Sequence, residues 1–465
     1  MTHWILGIFV ATASLCAAAD KLNVLFLISD DLGAQALGCY GNKDVQTPNI
    51  DALAKRGMRF TNAYCQFPVC GPSRAALMSG LYPQQNGVVG NSSSDKLTSR
   101  LGKRPTVAEY FKAQGYHSAR VSKIYHMRVP GDITAGVDGP DHAASWTEKF
   151  NCQGPEWYTE GPKEHLSNER LNFDKDKHYG LGFGTAFYVV RGEGDGSEQA
   201  DHQAAAKASE LLETQRRNPF VLAVGFVRPH VPLVAPEKFY EPYPPQKMTL
   251  PEAVANDWDD IPKAGLSKTS GMKGDAAKQK KTLAAYYASV SYMDAQVGKV
   301  LEALEENGLR DNTIVVFTAD HGYHLGEHDF WQKMSLHEES ARVPIIIAGP
   351  GIDPGESASL VEAIDLYPTW CELAGLPVPD HCVGKSLIPV LKDPTAEVRD
   401  MAYCFKGSGH LIRTKRWAYM QYRTDAEELY DMGQDPKQFT NLAMTRPEVV
   451  KEMRERLANK LATMK

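Results

Sequence analysis

Several residues able to ligate cations, hold anions or move protons fall just after short apolar runs. Asp30 and Asp31 follow Asn23-VLFLI-Ser29, Lys123 and His126 follow Ser118-ARVS, His230 follows Phe220-VLAVGFVRP, and Asp320 and His321 follow Asn312-TIVVFTA. Taken singly, each has an ordinary explanation: adjacent acids cap helices, Asp-His-Gly makes turns, and a lone lysine is solvated. Their joint placement is the informative feature. The carboxylates of Asp30, Asp31 and Asp320 suit a hard cation such as Ca²⁺ or Mg²⁺. His321 beside them is an unusual ligand for such an ion, while zinc sites have closer His or Cys spacing than this chain offers. Arg74, Lys123, Lys333, His126 and His230 could hold an oxyanion and move protons, the division of labour needed to hydrolyse a charged ester.

These residues need elements to bring them together. The runs at Asn23, Phe220, Asn312 and Val343-PIIIAG are short, apolar and β-branched, which predicts buried parallel strands. The pattern from Thr282 to Asn307, with apolar residues recurring at three and four, predicts a long helix. Strands alternating with helices predict a parallel α/β sheet, and ligands of such sheets bind at the carboxyl ends of the strands. The segment from about Pro140 to Gly196 lacks periodicity and reads as long ordered loops. After about Pro377, short runs at Met401-AYCF, Gly409-HLIRT and Trp417-AYMQY, then a helical pattern from Arg446, predict a small antiparallel sheet with a helix.

The bulk properties narrow the class. Lys and Arg total 51 against 57 Asp and Glu, a net charge of −6, which does not suggest a nucleic-acid partner. Residues 1–19 have an apolar core and end in Ala17-Ala18-Ala19, predicting a leader cleaved near Ala19 and a secreted or periplasmic protein. No later run is long and apolar enough to span a bilayer. Eight cysteines, Cys16 among them, are too few and scattered for a disulfide scaffold. Cys371 and Cys382 close a short loop and could pair in an oxidising compartment. Cys39, Cys65, Cys152 and Cys404 read as small buried residues or unassigned partners.

The strongest motif is Cys70-Gly-Pro-Ser-Arg74-Ala-Ala-Leu77-Met-Ser79-Gly80. It resembles the sulfatase signature, Cys-x-Pro-Ser-Arg with a Leu-x-Ser/Thr-Gly tail, which a maturation enzyme recognises in order to oxidise the cysteine to formylglycine. The resemblance extends through Asn23-VLFLISDDLG, Thr47-PNIDALAKRGMRFTNAY, Val121-SKIYH, Thr318-ADHGYHLGEH, Asp365-LYPT and Glu428-LYDMGQDPKQFTNLA. Asp320-His321 and Val227-RPHVP look like the iduronate-2-sulfatase branch of that family.

The resemblance implies an alkaline-phosphatase-like fold, with a large mixed, mostly parallel sheet over 20–375 and a small C-terminal subdomain over 376–465. It implies that Asp30, Asp31, Asp320, His321 and modified Cys70 hold one cation, calcium in preference to magnesium. It further implies that Arg74 orients the formylglycine and that Lys123, His126, His230 and Lys333 surround the sulfate, with His126 as base and His230, aided by Lys333, as acid. Tyr323 stands where the branch commonly has Trp, which leaves the sugar specificity open. The expected partners are a sulfated carbohydrate and the maturation enzyme. The competing readings are a phosphomonoester or phosphonate-ester hydrolase of the same superfamily and a non-catalytic binder of sulfated glycans.

Overall fold

The computed structural model describes residues 21–173, 182–215, 217–423 and 425–464, so the expected leader lies outside the described residues. The chain is organised around an eight-stranded sheet. Its strands are β1 (Asn23–Asp30), β2 (Met58–Tyr64), β3 (His117–Ser122), β4 (Glu148–Phe150), β5 (Phe220–Pro229), β6 (Thr313–Ala319), β7 (Ile345–Ala348) and β8 (Gly355–Glu362). Their spatial order is β8-β2-β7-β6-β1-β5-β3-β4. Central β1 lies parallel to both β5 and β6, pairing Val24 with Val221 and with Ile314.

One expectation is corrected. The run at Val343 forms a buried strand, but β7 is antiparallel to both neighbours, β2 and β6. An apolar run reports burial on both faces and carries no information about direction.

Strand β1 shows why its sequence is continuously apolar. Leu25 and Leu27 join one core with Ala284, Ala288 and Val224, whereas Val24, Phe26 and Ile28 join another with Leu77, Met78 and Trp370. Alternate side chains point to opposite faces, and helices cover both. One covering helix is α1 (Cys70–Ser79), buried throughout. On the opposite face lie α2 (Ala200–Thr214) and α3 (Ala276–Glu306). The segment read as loop from Pro140 contains β4 and two short strands, Lys163–His165 and Tyr188–Gly192, in a separate three-stranded sheet with Leu233–Pro236.

Toward the C-terminus, β9 (Ala402–Lys406), β10 (Gly409–Arg413), β11 (Trp417–Gln421) and β12 (Glu427–Asp431) form an antiparallel meander, followed by α4 (Pro447–Ala462). β12 adds a fourth strand to the three expected. Val450, Met453 and Leu457 of α4 pack against Tyr403, Ile412, Tyr419 and Leu429 of the meander. Among the described residues the cysteines are free thiols, including Cys371 and Cys382, and Cys39 is only partly buried. Among the described residues, no helix is long and apolar enough to cross a membrane.

Candidate active site

The carboxyl ends of β1, β3, β5 and β6 bring the singled-out residues together. Asp30 closes β1, and Asp31 follows with a left-handed backbone at φ 61°, a conformation that costs a non-glycine residue about 1–3 kcal/mol and marks functional turns. Beyond β3 the chain crosses over Gly225 of β5. A Cβ there would come within 2.0 Å of the Lys123 carbonyl, so only glycine allows the crossing.

Cys70 is the first residue of α1. Its neighbour Gly71 donates its N–H to Asn91 Oδ1 at 2.9 Å. The Cys70 Sγ lies 3.4 Å from His321 Nε2, 3.2 Å from Lys333 Nζ and 3.8 Å from Asp31 Oδ1. One ligand atom from each of Asp30, Asp31, Cys70 and His321 falls within a 4.8 Å span. His321 Nδ1 meets the Gly322 carbonyl at 2.9 Å, which turns Nε2 toward Asp31 Oδ1 at 3.2 Å. Asp31 Oδ2 is buried and accepts no hydrogen bond. The carboxylate oxygens and the one unshared buried oxygen fit an oxygen-preferring cation, with the inward imidazole nitrogen the unusual member of the set.

Asp320 is also tied into the framework around the site. Its Oδ1 accepts from the backbone N–H of Asp31 at 3.2 Å and of His321 at 3.0 Å. Its Oδ2 accepts from Arg74 Nε at 2.8 Å. Arg74, fully buried, also donates to Asp30 Oδ1 at 3.3 Å and to the Ile124 carbonyl at 3.2 Å. It thereby ties the end of β1, the end of β6 and the chain beyond β3 to α1. Lys123 Nζ pairs with Asp30 Oδ2, and Lys333 Nζ with Asp31 Oδ1.

The electrostatics follow from this packing. Burial alone would raise the Asp30 carboxyl, but Lys123, His230 and Arg74 hold it well below the usual carboxylate range. Burial, reinforced by Asp30, pushes the Cys70 thiol up, so the unmodified cysteine is a poor nucleophile. Burial lowers His230 to about 4, with Lys333 and Lys123 pushing the same way against Asp31. His126 is likewise held well below its ordinary value by burial and Lys123. His230 Nε2 stands 3.7 Å from Asp31 Oδ2, and His126 Nδ1 is buried without a hydrogen-bond partner. His126, His230 and Lys333 line one cavity of about 930 Å³ with Val69, Arg128 and Gly139.

The structure draws in residues that the sequence reading did not weigh. Arg228, inside the quoted Val227-RPHVP, donates through Nη1 to the His230 carbonyl at 2.7 Å and pairs with buried Glu156. Its signal in the sequence was a charged residue within an otherwise apolar strand. Tyr323 is 1 % exposed and stacks on Tyr286 at 5.4 Å, behind Asp31 and away from the residues lining the cavity.

A mixed, mostly parallel α/β sheet whose strand ends gather acids, lysines and histidines around a helix-terminal cysteine defines an enzyme that handles an anionic ester. Residues 22–376 match the family model described as Sulfatase, and residues 326–465 match N-sulphoglucosamine sulphohydrolase, C-terminal. The chain belongs to the sulfatase family, within the alkaline phosphatase superfamily, and is a sulfuric ester hydrolase. It is 32 % identical over 437 residues to a sulfatase of Formosa agariphila, covering 91 % of this chain and 83 % of that one. It is 34 % identical to the iduronate 2-sulfatase of Mus musculus, covering 79 % and 71 %. The solved structure of a 2-O GAG sulfatase superimposes with a TM-score of 0.72 at 26 % identity, covering 96 % and 93 %.

Proposed function

We propose that this chain removes sulfate from a sulfated carbohydrate, a glycosaminoglycan or another sulfated polysaccharide, using Cys70 matured to formylglycine and one divalent cation, calcium in preference to magnesium. Asp30, Asp31, Asp320 and His321 would hold the cation, with residue 70 completing its shell. The observation that carries this reading is the close meeting of Asp30, Asp31, Cys70 and His321 inside a surround of Arg74, Lys123 and Lys333. When present, the formylglycine supplies a hydrated carbonyl as nucleophile and the cation acidifies it while screening the sulfate charge.

The chain's own residues do the rest. Lys123 and Lys333 hold the sulfate oxygens as charge moves toward the leaving oxygen. Arg74 fixes the carboxylates and α1 relative to one another. His230, aided by Lys333, would deliver a proton to the departing sugar oxygen once the bound sulfate anion draws a proton onto its imidazole, and His126 would take one from the oxygen on residue 70; a neutral imidazole with an unpartnered Nδ1 suits the latter task. The N-terminus of α1 adds its dipole to the anion site. We assign the catalytic unit to 20–375 and the C-terminal unit to 376–465, with export by the leader.

The test combines the mass of the tryptic peptide containing Cys70, from protein made with a maturation enzyme, with release of inorganic sulfate from sulfated sugars. Conversion to the aldehyde, sulfate release, and complete loss of turnover in a folded Cys70→Ala protein are the expected results. An unmodified cysteine in a protein that still hydrolyses esters would overturn the reading.

A further inference from the structure

We propose that Gln332 is a positioning residue for sulfate-ester cleavage: it sets Lys333 against Cys70 by tying that lysine's segment to the cavity wall at Thr185. The inference rests on the sulfatase reading of the site and adds a residue that acts through Lys333. Lys333 Nζ meets Cys70 Sγ at 3.2 Å and pairs with Asp31 Oδ1, yet the element that carries it is slight. A two-stranded ribbon pairs His324–Leu325 with Trp331–Gln332, and Lys333 is the first residue beyond it. A ribbon this short holds little by its backbone pairing.

The firmer hold is a side chain. Gln332 is buried at φ 74° and Met334 has φ 85°, so Lys333 stands between two left-handed residues. Glycine suits such a backbone best, and a glutamine that keeps it is compensated by the contacts its side chain makes. Its Nε2 donates to the Thr185 carbonyl at 2.5 Å and to the buried Ser270 Oγ at 2.9 Å. A carbonyl only accepts, so the amide nitrogen is the end that meets it. Gly184 and Thr185 line the cavity beside His126, His230 and Lys333. That wall is itself fixed. Gly184 lies so near the Val129 carbonyl that a Cβ there would come within 2.6 Å, and the Phe187 ring meets Trp331 edge-on at 5.5 Å. The amide therefore bridges two anchored points, and the lysine next in the chain takes its place from them.

The experiment is a double-mutant cycle on the matured, cation-loaded enzyme, read as kcat/KM for a sulfated sugar and for an aryl sulfate. Gln332→Met keeps the length of the side chain but cannot donate, and Gln332→Gly relieves the backbone while removing the amide. Each should lower kcat/KM by about 10- to 100-fold, the worth of two hydrogen bonds, chiefly through kcat, with the melting temperature close to that of the wild type. In a Lys333→Ala background the same substitutions should cost less than about twofold, because the group they position is gone. The aryl sulfate keeps that background measurable, since its leaving group departs without needing a proton. A loss that persists undiminished beside Lys333→Ala, or wild-type activity in both Gln332 variants, overturns the inference. Absence of sulfate release by the wild type from every ester overturns the sulfatase reading itself.

Discussion

The phenolic oxygen of Tyr286 donates a 2.6 Å hydrogen bond to the carbonyl of Asp31 and accepts one from the Gly33 N–H at 3.3 Å. Helix α3 thus grips the turn carrying a candidate ligand in its left-handed conformation, and the Tyr323 ring, 19° from parallel, backs the tyrosine. Residues that orient a ligand typically change metal affinity 10- to 100-fold when altered. Tyr286→Phe should therefore weaken calcium binding by about tenfold with the fold retained, measured by calorimetric titration. Unchanged affinity would show that other contacts hold Asp31.

Arg74 is a buried guanidinium donating to two carboxylates and to carbonyls beyond β3. A lysine delivers one point charge where a fork is required, so the exchange is not conservative. Arg74→Lys keeps the charge but loses part of the hydrogen-bond fork, so it should destabilise the protein by about 1.5–3 kcal/mol, the worth of a hydrogen bond to a charged group, and should abolish sulfate release. Urea unfolding reads the first effect; a stability within about 1 kcal/mol of wild type would contradict it.

The Glu156 and Arg228 pair shapes the segment that carries His230, because Arg228 also donates to the His230 carbonyl at 2.7 Å. Glu156→Gln should leave cation affinity intact while lowering kcat more than tenfold, since small displacements of a proton donor are costly. An effect on KM alone would mean that the pair serves binding and leaves the proton transfer untouched.

Asp294 of α3 caps a different helix, Pro48–Lys55, accepting from Ile50 N–H at 2.8 Å and from Asn49 N–H at 3.2 Å. Burial pushes its carboxyl up to about 6 from an ordinary 3.8. A proton held more tightly in the folded state stabilises it fully below the unfolded value, and this contribution disappears as pH rises through the folded one. Between about pH 4 and 6 the wild type should lose on the order of 2 kcal/mol relative to Asp294→Asn. Parallel stability curves for the two proteins, from unfolding at each pH, would refute this.

Much of the architecture was legible. The runs at Asn23, Phe220 and Asn312 are apolar because both faces of those strands are covered, and the polar residues that follow stand where the strands leave the core. β7 could not be oriented, because its pattern is the same in either direction. β12 was missed because Glu427-Glu428 begins it, and Glu428 is buried against Tyr422, Tyr430 and His337, the last from a distant part of the chain.

The sequence by itself determined the chemistry available: a Cys-x-Pro-Ser-Arg motif, acid pairs and histidines at strand ends, and a family-wide pattern around them. Only the tertiary structure decided how those groups share the work. It turned Asp320 onto Arg74 and two backbone amides while leaving Asp31 Oδ2 without a donor. It buried Tyr323 in a stack on Tyr286. The physical reason is that residue types fix what a side chain can donate, accept or carry. Which oxygen is already hydrogen-bonded, and which charge is already paired, depends on neighbours that the sheet brings from distant parts of the chain.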